Sequence, residues 1–241
     1  MAKIDLGLVK GADGRTLSLN GIQPDANGNL VVGAKDVGAA PAGFGLGEKV
    51  SPVIEDLNAA VASGVYSFFG SAINNPFVSP YISWPTLSGV VEVVSKSEDH
   101  AVQVVRTTNA TAPLVVQRSL YGGEWLPNEW VNPPMIPGVE YRTTERYLGK
   151  PVYVKVMSFG ALPNASMKQE TLTLEGVESL VSCSGITGGG TVFPCSNPSD
   201  ANIGTISLFA NIYGTTFITT TADWSGKTAN IIFKYTKTTD T

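Results

Sequence analysis

The side chains best suited to chemistry in this chain are aromatic rings set among amides and carboxylates near its C-terminal end. Tyr213, Phe217, Trp224 and Tyr235 are interleaved with Asn197, Asp200, Asn202, Asn211 and Asp223. Flat rings stack on the apolar faces of sugars, and loop amides and carboxylates bond hydroxyl groups. The chemistry implied is therefore the binding of a hydroxyl-rich ligand. SCSGITGGGTVFPCSNPSDANIG is long, glycine-rich and polar, as an adaptable binding loop requires. Asn197, Asp200 and Asn202 in that loop, with Tyr213, Asp223 and Trp224 beyond it, are the contact candidates. Phe217 and Tyr235 fall within strand-like runs and are expected in the core. Trp224 precedes SGK at a turn, which leaves it either exposed or plugging one end of the fold.

Catalytic patterns are absent from the sequence. It has no G-x-S-x-G, H-E-x-x-H, Walker loop or dinucleotide fingerprint, so no catalytic residue, metal or cofactor is expected. A Ser-His-Asp arrangement would have to use His100, the only histidine, which sits in the charged turn KSEDHAVQ. Glu140 with Glu145, or Glu170 with Glu175, could serve as paired acids. Glycosidic cleavage needs two carboxyls about 5 to 9.5 Å apart across a groove, whereas strand carboxylates usually line a solvated face. Cys183 and Cys195 read either as a loop-closing disulfide or as two small buried apolar groups, and synthesis in a cytoplasm favours the second. Arg142, Arg146, Lys150 and Lys155 alternate with Tyr141, Tyr147 and Tyr153, superficially like a nucleic-acid stripe. Glu140 and Glu145 interrupt it and the net charge is −4, so pairing with carboxylates across strands or subunits is expected, and no nucleic-acid partner.

The elements that must position these groups are mostly strands. Only 15% of the 241 residues are charged, while Gly, Thr, Ser and Asn abound, a profile suited to strands and tight turns. The pattern divides into four parts. Residues 1–48 form a Gly/Ala/Asp-rich segment that buries little by itself, with DANGNLVV as a turn feeding a strand. Residues 49–132 read as a small α+β module. SPVIEDLNAAVASG is its expected helix, with Ser51 as N-cap, Pro52 at N1 and Gly64 at the end. The runs GVYSFFG, GVVEVVSKS, HAVQVVRTT and APLVVQRSL follow as strands. Residues 133–138 hold a stiff proline connector, and 139–241 show seven to eight strand-like runs that suggest an antiparallel sandwich. No stretch approaches the ~20 apolar residues of a membrane helix, and MAKIDLGLVKGADG lacks the apolar core of a signal peptide.

Several segments resemble tail fibres of bacteriophages and the related pyocin fibres. LNAAVASGVYSF, INNPF, GVVEVV and YGGEWLPNEW resemble their knob modules, and DVGAAPAGFGLGE resembles the spacer before such knobs. WVNPPMIPGVEYRTTERYLGKPVYVKVMSFGALPN is similar to the start of the C-terminal head of tail fibres, and ADWSGKTANIIFKYTKTTD to its final strands. The resemblance implies a homotrimeric receptor-binding protein of the virion tail, made in the host cytoplasm. Its N-terminal segment would attach to other tail or baseplate proteins, and its distal β head would touch a glycan of the bacterial surface. The chain departs from the pattern in being short and in having no collagen-like G-X-Y run after VKGADG. A structural tail subunit and a polysaccharide hydrolase are the competing classes.

Overall fold

The computed structural model describes residues 8–10, 16–19, 51–77, 87–110, 112–197 and 204–240, and of 8–10, 16–19 and 197 the backbone alone. The short strands β1 (Leu8–Lys10) and β2 (Thr16–Leu19) pair antiparallel. The expected strand at DANGNLVV lies outside the described residues, as does the rest of the segment up to 48.

Alternation builds the first half. β4 (Gly64–Ile73), β5 (Gly89–Ser97), β6 (His100–Thr107) and β7 (Val115–Tyr121) form an antiparallel meander. Val91 and Val93 of β5, Ala101 and Val105 of β6, and Val116 and Leu120 of β7 point to one face and are buried, with Phe68, Phe77 and Leu57 packed on them. Period-two spacing places every second side chain there. Gly89 belongs to this register for a steric reason, since a Cβ at that position would strike the carbonyl of Arg106 on the neighbouring strand.

The helix expected over 51–64 does not form. Val53–Asp56 is instead an edge strand, β3, running parallel to β4, and only Leu57–Ala59 turns as a 3-10 helix. Asp56 rather than Ser51 caps that turn, accepting a bond from the Asn58 N–H at 2.8 Å, and Gly64 opens β4 instead of ending a helix. Two forces outweigh the helical spacing. Val53 and Ile54 are β-branched and find partners in Ser67 and Phe68, while a 14-residue helix alone is marginal in water. Gln103, fully buried on β6, also claims two carbonyls of the turn, donating from Nε2 to Leu57 O and Ala60 O at 2.7 Å each. Its Oε1 accepts from Nε of Arg118 at 2.9 Å, and the Arg118 guanidinium lies 4.2 Å from the centre of the Trp125 ring. Burial pulls that guanidinium down to about 10.

The second half is two-layered. β10 (Glu140–Tyr147), β11 (Lys150–Ala161), β13 (Val177–Thr187), β14 (Val192–Phe193) and β18 (Thr228–Lys237) lie in the order β14-β13-β18-β11-β10. A second sheet orders β12 (Met167–Thr171), β17 (Thr215–Thr220), β16 (Gly204–Ala210) and β15 (Cys195–Asn197) as β12-β17-β16-β15. Ile206 and Ile218 of the second sheet meet Phe159, Ile231, Phe233 and Tyr235 of the first in one buried cluster. The paired inner faces are what a sandwich requires. A Cβ on Gly185 would run into the Phe193 ring, so the bare glycine is what lets that ring enter the cluster.

Both halves share one sheet. The two-residue strand β9 (Glu129–Trp130) pairs antiparallel with β7 and parallel with β10, so the larger sheet, twelve-stranded among the described residues, passes from one cluster to the other. The short β8 (Glu124–Trp125) pairs β7 beside it. The proline connector lies along β11, with Pro137 bridging Val156 and Gly138 N–H donating to Val156 O at 2.8 Å. Among the described residues no helix is long and apolar enough to cross a membrane.

Replacing Gln103 by Leu removes both bonds to the turn and leaves Arg118 Nε buried without an acceptor. Unfolding in guanidinium chloride is expected to show a loss of about 2–4 kcal/mol with an unchanged m-value.

Candidate functional site

The turn after β17 is built as a rigid corner. Asp223 Oδ1 accepts from the Ser225 N–H at 2.9 Å and from Ser225 Oγ at 2.7 Å. These bonds hold the exposed carboxyl below its ordinary range. Trp224 N–H donates to Pro163 O at 3.2 Å, Lys227 N–H to Trp224 O at 2.8 Å, and Ala165 N–H to Ala222 O at 3.0 Å. Trp224 is half-buried against the second cluster, which matches the plugging role rather than the fully exposed one. The corner sits at the end of the sandwich where Ala161 pairs Thr228 and Asn197 pairs Gly204. Turns 162–166, 188–191 and 221–227 gather at that end.

The candidate residues do not all meet. Tyr213 is strongly exposed in the turn between β16 and β17. There Asn211 Oδ1 accepts from the N–H groups of Tyr213 at 3.0 Å and Thr215 at 3.1 Å. Gly214 must be glycine, because its φ is +80° and a Cβ would strike the Leu172 carbonyl. The whole of β17 separates this turn from Trp224, a distance of about 20 Å for six extended residues. Tyr213 and the pair Asp223–Trp224 therefore belong to opposite ends of the sandwich. Asn197 closes β15 at the Trp224 end, but its side chain, Asp200 and Asn202 lie outside the described residues. Tyr235 is fully buried as expected. Phe217 is not a core residue, for its ring faces outward and tilts against Phe209 at 6.0 Å between centres.

The groups suited to catalysis are spent elsewhere. Ser97 Oγ donates to Asp99 Oδ1 at 2.6 Å, and His100 Nδ1 contacts the same oxygen at 2.8 Å. The bonds from Ser97 and then His100 hold the exposed Asp99 carboxyl down at about 2. A nucleophilic serine would need to donate to the imidazole nitrogen left free by the aspartate, and here Ser97 and Asp99 crowd one nitrogen. Glu140 and Glu145 are not paired acids either. Glu140 binds the Tyr235 hydroxyl and Lys237 Nζ, while Glu145 binds Lys234 Nζ at 2.6 and 2.8 Å. Lys234 and Tyr235 are adjacent on β18, so the two carboxylates lie on opposite faces of the sheet. Glu170 is held by Lys168 at 2.9 Å.

Three of the four basic groups of the stripe are neutralised within the chain. Arg146 grips the buried Glu129 with two bonds of 2.6 and 2.9 Å, Arg142 reaches Glu129 and Asp240 at 3.3 and 3.2 Å, and Lys150 binds Glu178 at 2.8 Å. Cross-strand pairing thus accounts for Arg142, Arg146 and Lys150. A polar cavity of about 210 Å³ lies beside this network, between Gln117, Leu126, Glu129, Arg142 and Arg146. Cys183 and Cys195 are free thiols half-buried against the second cluster, and burial pushes the Cys183 thiol up. Among the described residues no group of three or more His, Cys, Asp or Glu is placed to hold a metal ion.

Comparison with known proteins adds structures rather than sequences. No protein-family model matches the chain, and no curated protein does. Among solved structures, an N-truncated R2-type pyocin tail fibre aligns over 77% of this chain and 96% of its own, at 11% identity and a TM-score of 0.26. The C-terminal part of the P. aeruginosa R1 pyocin fibre aligns over 78% of this chain and 67% of its own, at 14% identity and a TM-score of 0.27. That of the P. aeruginosa R2 pyocin fibre aligns over 80% and 69%, at 10% identity and a TM-score of 0.25.

The buried phenols set the alkaline limit. Burial, reinforced by the Glu140 carboxylate, pushes the Tyr235 hydroxyl far up, and burial raises Tyr141 and Tyr153 as well. A raised folded-state value means stability is complete below the unfolded pKa of about 10 and falls as pH rises past it. Denaturant midpoints measured from pH 8.5 to 11.5 should decline above pH 10 in the wild type, and decline less in Tyr235→Phe.

Proposed function

We propose that this chain is a non-enzymatic receptor-binding protein of a phage-type tail, whose C-terminal sandwich binds a glycan of the bacterial surface. The observation that carries the reading is the rigid corner 162–166 and 221–227. Asp223 and the half-buried Trp224 are fixed there among polar turns, beyond a core that buries no catalytic pair. β15 ends with Asn197 at the same end, and the candidates Asp200 and Asn202 follow it in the chain. The segments that resemble tail-fibre knobs and heads support the same role. On this reading residues 1–48 attach to other tail proteins, 49–132 form the knob and 139–241 the head, and the mature protein is part of the virion. Three copies would assemble, and several weak sites on one particle would act together through raised effective concentration.

A structural tail subunit is the second reading. It draws support from the exposed Val53, Phe69 and Ile73 around a cavity of about 350 Å³ at the β3 edge, an apolar surface suited to packing on another tail protein.

Light scattering should give about 76 kDa, three times the 25.3 kDa chain; a 25 kDa species overturns the trimer. The chain should also bind host cells and their purified surface polysaccharide without releasing reducing ends, and Trp224→Ala and Asp223→Ala should weaken binding several-fold. Failure to bind the host favours the structural subunit, and release of reducing ends favours a hydrolase.

A further inference from the structure

The outer face of the four-stranded sheet carries no charge. Inward side chains such as Ile206, Ile218 and Thr220 are buried, which turns their neighbours outward. One outward row runs Gln169, Phe217, Phe209 across β12, β17 and β16, and the next runs Met167, Thr219, Ser207. Thr171 and Thr215 pair beyond the first row, and Ser196 and Thr205 beyond the second. The charges of edge strand β12 sit on its other side, where Lys168 pairs with Glu170, lies over the Phe159 ring and donates to Ala161 O at 3.0 Å.

Two features mark the face as a binding platform. Phe209 is 58% exposed and leans on Phe217, and with Met167 these rings form the apolar part of a surface otherwise made of hydroxyls and an amide. Thr216 and Thr220, turned inward, donate to Gly214 O and Pro163 O. By contrast the side chains of Gln169, Thr171, Ser207, Thr215 and Thr219 make no hydrogen bond within the described residues. We infer that this face binds an extended, uncharged polysaccharide segment, with Phe209 and Phe217 under the sugar rings and Gln169, Thr219 and Ser207 on their hydroxyls. The inference rests on the receptor-binding reading and moves the main contact from the end of the sandwich to its flank. Size separates a glycan from a protein partner. Four strands about 4.8 Å apart and three to seven residues long span at most roughly 20 by 20 Å, on the order of 400 Å² or less. A stable protein interface needs about 800 Å² per partner. The lack of charge excludes an acidic glycan as the preferred ligand, because a polyanion would gain nothing here over water.

The test places the full chain on an array of purified neutral and acidic bacterial surface polysaccharides, as wild type, Phe209→Ala, Thr219→Lys and Asp223→Ala. Both face variants should lose about tenfold or more in affinity for a neutral polysaccharide, with unfolding midpoint and solution mass unchanged. Full binding by the face variants alongside loss in Asp223→Ala overturns the platform and leaves the receptor-binding reading standing. A fall in solution mass for Phe209→Ala makes the face a contact between copies and also overturns it. Binding confined to acidic polysaccharides overturns the ligand class, and no wild-type binding to any polysaccharide removes both proposals.

Discussion

Everything in this fold hangs on a strand two residues long. Glu129 and Trp130 pair with β7 on one side and β10 on the other, and they join two hydrophobic clusters through a single sheet. Trp130 packs edge-on against Phe77 of the first cluster at 5.8 Å and against Tyr141 at 5.2 Å. Glu129 is buried in the same place, and a buried carboxylate is tolerated only when paired. Arg142 and Arg146 supply that pairing from β10, so the second half cannot leave the first without stranding a buried charge. The proline connector follows this joint and lies on β11. Prolines supply no N–H donor there, and the connector donates to β11 through the Gly138 N–H.

The same economy governs the remaining charges. Lys150, Lys234 and Lys237 each bind a carboxylate from another strand, and His100 and Asp99 close a hairpin turn. Such pairs fix register more than they add stability, because exposed ion pairs contribute little. They also leave the acids unable to act in concert. The surfaces proposed to bind are a polar corner around Asp223 and Trp224 and the uncharged flank of the smaller sheet.

The strands were legible because their signal is local. β5 and β6 occupy GVVEVVSKS and HAVQVVRT, and β18 occupies TANIIFKYTK, as alternation alone indicates. The 51–64 segment reads as a helix because Val53, Leu57 and Val61 recur at four-residue spacing, whereas the deciding partners, Ser67 and Gln103, lie further along the chain. Phe217 was misassigned to the core for a related reason. TTFITT sets Phe217 and Ile218 side by side on opposite faces, and which of them turns inward is set by Ile206 and the opposite sheet.

By itself the sequence determined the β class, the positions of strands such as β5, β6 and β18, and the absence of catalytic motifs. Each of these follows from residue type and nearest-neighbour spacing. Only the tertiary structure decided that one sheet crosses the joint, that Glu140 and Glu145 lie on opposite faces, and that Tyr213 and Trp224 stand at opposite ends of β17. Those facts depend on which strands pair and which faces meet. Pairing and facing are fixed by burial of Trp130, Phe233 and Tyr235 against residues distant in sequence, and no local pattern encodes them.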